Sequence, residues 1–117
     1  MGHDVRVVMP RYYPVDPYKY DLKPVGGPLG VPMGIIGEMW CGVLEGKIPD
    51  TQVPVYFIDH ESYYGREGLY TDQDGNGYID NDNRFVFLSQ ASLKLCHMLN
   101  FTPDVIHVND WHTAAVP

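Results

Sequence analysis

Residues 83–109 join an amphipathic helical repeat to a β-branched run through a short Pro-containing link, and this succession commits the chain to an α/β fold. Phe85, Leu88, Ser92, Leu95 and Leu99 recur at steps of three and four, which places them on one helical face, with Leu93 and Met98 widening it. Asp80, Asn81 or Asp82 can cap the start of this helix, and Asn100 with the later Pro103 stops it. Val105, Ile106 and Val108 then dominate the run Val-Ile-His-Val-Asn, which reads as a buried parallel strand. A helix followed by such a strand is half of a βαβ unit.

The strand delivers Asn109, Asp110, Trp111 and His112 into a turn, and Thr113-Ala114-Ala115 resumes in helix-compatible residues. Ligands of open α/β sheets bind beyond the carboxyl ends of the strands, where this turn would lie. A ligand site is one use of these side chains. The other is structural: Trp111 packs, and Asp110 caps the next helix by accepting a hydrogen bond from a backbone N–H two or three residues on.

Upstream, Val5-Arg6-Val7-Val8-Met9 forms a short β-rich run stopped by Pro10. Residues 14–34 hold Pro14, Pro17, Pro24, Pro28 and Pro32 among several glycines, so neither a long helix nor a central strand fits there, and an extended or lid-like loop is expected. Strand character returns from Ile35 to Leu44, residues 46–50 read as a turn, and Val53 to Ile58 reads as a second strand, so the pair forms a hairpin. Residues 59–80 are rich in Gly, Asp and Tyr. A chain that opens at a strand and closes in the first turn of a helix reads as an internal piece of a larger protein.

Eight Lys and Arg against 15 Asp and Glu leave a net charge of −7. That balance argues against nucleic acid and anionic membrane as partners, since both demand a positive face. No stretch approaches the roughly 20 apolar residues that cross a bilayer, and no signal-type segment opens the chain, so a soluble, cytoplasmic protein is expected. Cys41 and Cys96 have no metal-ligand spacing and read as reduced, buried thiols. His107 and His112 straddle a strand-to-loop corner, which is a poor arrangement for zinc, and Asp59-His60-Glu61 reads as a surface cluster at a strand end. No serine sits in a nucleophile elbow, and no Gly-rich loop has the strand–helix context that cradles phosphate.

One segment points elsewhere. Residues 72–83 match a calcium loop at Asp72, Asp74 and Asn76, with Gly77 at the sharp turn and Asp80 at the ninth place. The twelfth place is Asn83, where such a loop needs a bidentate Glu, and the incoming segment carries Gly65 and Gly68 in place of a helix. The alternative is a solvated acidic loop leading into a capped helix.

Five ordered stretches give the chain a wider resemblance: GHDVRVVMPRY at 2–12, VPVYFIDH at 53–60, YYGREGLY at 63–70, DNDNRFVFLSQA at 80–91 and PDVIHVNDWHTAAVP at 103–117. Together they resemble the N-terminal catalytic domain of bacterial glycogen synthases and plant starch synthases. The resemblance implies a Rossmann-like (GT-B type) α/β domain, incomplete at both ends. It lacks a preceding strand with its lysine-glycine-glycine loop, a later strand with a histidine, and a whole C-terminal nucleotide-sugar domain. It implies a retaining glucosyltransferase whose donor is ADP-glucose and whose acceptor is an α-1,4-glucan, with no cofactor. This chain would form part of the acceptor-side domain, inactive by itself. By the same resemblance Asp110 orients a hydroxyl near the transferred glucose, Trp111 walls the cleft, His112 orients the turn, and Tyr70 lies toward the acceptor. Asn109 stands where many relatives have His, so no role of that histidine carries over. A calcium module at Asp72, Asp74, Asn76 and Asp80, or a noncatalytic glucan-binding domain, are the rival readings. The donor base and the oligomeric state are not legible.

Overall fold

The computed structural model describes residues 3–12, 21–34, 37–64, 74, 77 and 80–108. Five strands make a mixed sheet: β1 (Val7–Pro10), β2 (Lys23–Pro24), β3 (Leu29–Pro32), β4 (Glu38–Lys47) and β5 (Pro54–Asp59). A single turn of helix, α1 (Glu61–Tyr64), follows β5, and the long helix α2 spans Asn81–Met98.

The hairpin read from the sequence is present. β4 and β5 pair antiparallel from Gly42↔Asp59 to Lys47↔Pro54. Its turn places Asp50 at φ 62°, a left-handed conformation that Asp tolerates better than most residues, and Thr51 Oγ1 donates to the Ile48 carbonyl at 2.8 Å. β1 joins the far side of β5 in parallel, with Val8 opposite Tyr56 and Pro10 opposite Ile58. The ladder extends one step further through the Arg11 N–H, which donates to the Ile58 carbonyl at 2.8 Å.

The Pro-rich stretch departs from the expected loop. Within its described part, 21–34, β2 pairs the C-terminal half of β4 and β3 pairs the N-terminal half, both antiparallel. Proline is compatible with these strands because Pro24 and Pro32 stand at strand ends on the edge of the sheet, where a missing N–H costs no ladder bond.

α2 covers one face of the sheet. Tyr56 and Ile58 of β5, Cys41 and Val43 of β4, and Leu29 and Val31 of β3 point toward it and meet Phe87, Leu88, Ala91 and Leu95. Of the expected helical face, Phe85, Leu88 and Leu95 are buried, and Leu99 and Met98 pack partly against the core. Leu93 does not widen that face. It lies two positions from both Ala91 and Leu95, about 200° round the helix from each, and is 39% exposed. The helix opens with the Asp80 carbonyl accepting from the Arg84 N–H at 2.9 Å. It ends at Asn100, whose φ of 54° lets the Phe101 N–H reach the Cys96 carbonyl and its own N–H reach His97, the paired bonds of a left-handed C-cap.

The parallel strand expected at 105–109 is not formed in its described part. Residues 105–108 belong to no strand, and Val105 is 82% exposed and Ile106 50%. A strand exists only through a neighbour that takes its N–H and C=O groups, and none of the described strands is hydrogen-bonded to this segment. Instead it borders a cavity of about 160 Å³ shared with Arg6, Val8, Tyr56 and Leu93. The Arg6 guanidinium over the Phe101 ring, 4.1 Å from its centroid, holds the two sides together. No helix among the described residues is long and apolar enough to cross a membrane.

Candidate functional site at the carboxyl ends of the strands

Asn109, Asp110, Trp111, His112 and Tyr70 lie outside the described residues, as do Asp72 and Asn76 of the calcium alternative. Among the described residues, Asp74 and Asp80 included, no group of three or more His, Cys, Asp and Glu side chains is assembled that could hold a metal ion. What the structure does describe is the carboxyl ends of β1 and β5 and the helices α1 and α2.

Asp59 closes β5, and its Oδ1 accepts from Arg11 Nη1 at 3.2 Å, tying the exits of the two parallel strands to each other. His60 comes next. Its ring stacks on Tyr63 with centroids 4.4 Å apart and meets the edge of Phe87 at 5.1 Å, and its Nδ1 accepts from the Tyr63 N–H at 3.3 Å. With Nδ1 used as an acceptor, the neutral ring carries its proton on Nε2. Burial pushes the His60 pKa down, partly opposed by its backbone hydrogen bond and by Asp59.

Behind His60 lies a clamp that the sequence reading did not single out. Arg84 is fully buried, and its Nε donates to the Tyr63 carbonyl at 2.6 Å while its Nη1 donates to Asn81 Oδ1 at 2.7 Å. In return the hydroxyl of fully buried Tyr64 donates to the Arg84 carbonyl at 2.5 Å, and burial raises the Tyr64 pKa far above its ordinary value. Tyr12 meets the Tyr64 ring edge-on at 6.0 Å. Tyr63 and Tyr64 at the end of α1 and Asn81 and Arg84 at the start of α2 thus form one hydrogen-bonded base. One signal could have revealed Arg84: it stands four and seven residues before Leu88 and Ala91, on the stripe that faces the core.

The model of the starch synthase catalytic domain matches residues 1–117. The chain belongs to that family. Among starch and glycogen synthases it is 60% identical over 117 residues to glycogen synthase 1 of Geobacter sulfurreducens, and 61% identical to glycogen synthase 1 of Geobacter metallireducens. In each case all of this chain is matched, against 23% of the relative. The chain thus spans about a quarter of the length of these relatives. The catalytic domain of starch synthase IV from Arabidopsis thaliana, solved bound to ADP and acarbose, superposes with a TM-score of 0.77 at 29% identity, over 98% of this chain and 22% of that one. The mixed α/β sheet therefore matches the N-terminal part of the GT-B catalytic domain of starch synthases.

Proposed function

We propose that the complete protein containing this chain is a glycogen synthase, which transfers glucose from ADP-glucose to the non-reducing end of an α-1,4-glucan with retention of configuration. The observation that carries this reading is the match of the whole chain, at 60% identity, to glycogen synthase 1 of Geobacter sulfurreducens. The relative bound to ADP and acarbose supports the same pairing of a nucleotide with an oligosaccharide.

In this reading the chain supplies part of the acceptor side and lacks transferase activity alone, because the nucleotide-sugar domain lies elsewhere in the protein. Asp110 accepts a hydrogen bond from a hydroxyl of the transferred glucose and fixes its orientation. Trp111 forms the wall of the cleft, His112 orients the turn, Asn109 contacts the substrate beside Asp110, and Tyr70 approaches the acceptor. A neutral glucan needs such hydroxyl partners and an aromatic surface, whereas the departing nucleoside diphosphate needs cations and backbone N–H groups. The excess of carboxylates in this chain suits the first task.

Transfer of glucose to glycogen by the complete protein, with ADP-glucose and UDP-glucose side by side, tests the reading. Transfer from ADP-glucose that falls by about 100-fold in Asp110→Ala, the scale of losing one positioned transition-state contact, is expected. A folded protein that transfers from neither donor would overturn it.

A further inference from the structure

Arg84 stands on the stripe of α2 that otherwise carries Phe87, Leu88, Ala91 and Leu95, and it is fully buried. An apolar side chain would fill that position without the cost of desolvating a charge, and a buried charge often adds no stability over well-packed hydrophobic residues. What the guanidinium adds is direction, because its planar fork bonds only acceptors set in one arrangement. Nε donates to the Tyr63 carbonyl at 2.6 Å and Nη1 to Asn81 Oδ1 at 2.7 Å, so the single turn of α1 is fixed against the first turn of α2. The Tyr64 hydroxyl closes the arrangement by donating to the Arg84 carbonyl, with its ring centroid 5.8 Å from Arg84 Cζ. On the other side, the stack of His60 on Tyr63 and the Arg11–Asp59 ion pair tie the same turn to the carboxyl ends of β1 and β5, the side on which α/β sheets hold ligands.

We propose that Arg84 is a positioning residue for glucosyl transfer, holding α1 to α2 in the one arrangement from which the acceptor is engaged. The inference rests on the synthase reading above and assigns a further residue to it. Arg84 and Tyr64 are fully buried, so neither touches a glucan, and any effect they have on the reaction passes through the chain they hold. Tyr70, to which the proposed function gives the acceptor contact, lies between Tyr64 and Asn81 in the sequence. Anchors fixed before binding reduce the ordering cost that binding must meet, and the reduction falls on the substrate whose contacts the anchored chain makes. The glucan, and not the nucleotide sugar, is therefore the substrate whose use depends on Arg84.

Initial rates of glucose transfer by the complete protein, with ADP-glucose and maltoheptaose varied in turn, test this in Tyr64→Phe, Asn81→Ala, Asn81→Asp and Leu95→Ala. Tyr64→Phe removes only the hydroxyl, and Asn81→Ala removes the oxygen that accepts from Nη1. Both are expected to raise the KM for maltoheptaose about five- to tenfold, the scale of ordering one side chain, with kcat and the KM for ADP-glucose within about twofold of the parent sequence. Asn81→Asp keeps an oxygen for Nη1 and is expected to restore the parent value. Leu95→Ala opens the core about three turns along α2 from Arg84, and it is expected to lower the melting temperature while leaving the KM for maltoheptaose unchanged. A maltoheptaose KM within about twofold of the parent in both Tyr64→Phe and Asn81→Ala would overturn the proposal. So would an equal rise in Leu95→Ala, which would assign the effect to stability alone. Failure of the synthase reading shows separately, as absent transfer by the parent sequence from ADP-glucose and UDP-glucose alike.

Discussion

Arg84 carries more of the local architecture than any other single side chain in the described structure. Burying a guanidinium is costly unless acceptors hold it, and Arg84 gives its Nε–H to the Tyr63 carbonyl and its Nη1–H to Asn81 Oδ1. Arg84→Ala is expected to destabilise the complete protein by about 2–4 kcal/mol, measured as a lower denaturation midpoint in urea, and Arg84→Lys is expected not to recover it. A point charge cannot serve two acceptors that a planar fork reaches together. His60 gives a second prediction. Its folded pKa lies below the unfolded value, so the unfolded chain takes up the proton first as pH falls. The contribution of His60 is complete above its unfolded pKa, declines as pH drops below about 6.5, and is lost by the depressed folded value. Melting temperature compared between pH 7.5 and pH 5 should fall less in His60→Phe than in the parent sequence. Cys41, which burial pushes up to about 11, stays a thiol throughout this range. Of these residues the sequence exposed only the types. Asp59-His60 looked like a surface cluster, because the stacking partners Tyr63 and Phe87 come from a helical turn and a helix whose packing no spacing rule supplies.

At the scale of elements, legibility followed the range of the interactions. The β4–β5 hairpin and α2 were readable because alternation, turn residues and a three-to-four repeat are local signals. The strands β2 and β3 were missed because prolines mask an edge strand, and their partner β4 lies beyond the next turn. The apolar run at 105–108 shows the converse error, since a strong β composition names a strand without supplying its neighbour. Val105 and Ile106 are exposed, and β1 is paired with β5 alone among the described strands. An open edge beside exposed apolar side chains recruits other chains. Expressed by itself, the 117-residue chain is therefore expected to self-associate in sedimentation velocity, where the complete protein stays discrete. A monodisperse chain with a sharp cooperative melt would contradict this. Within α2, Leu95 is 1% exposed at the centre of the core, and Leu95→Ala is expected to cost about 2–5 kcal/mol by chemical denaturation.

For the molecule as a whole, the charge and the family make a joint prediction. Electrostatic steering fades with salt only when the ligand is charged. Glycogen binding by the complete protein should change less than about twofold between 50 and 300 mM salt, with affinity electrophoresis as the readout, whereas a steep salt slope would point to a polyanionic ligand. The base formed by Tyr63, Tyr64, Asn81 and Arg84 has an evolutionary consequence at the same scale. Where two points of a chain are fixed to each other, doubling the length of sequence between them adds only about 0.6 kcal/mol of closure entropy. A change of sequence length between Tyr64 and Asn81 is thus expected to leave the strand register beneath the base intact.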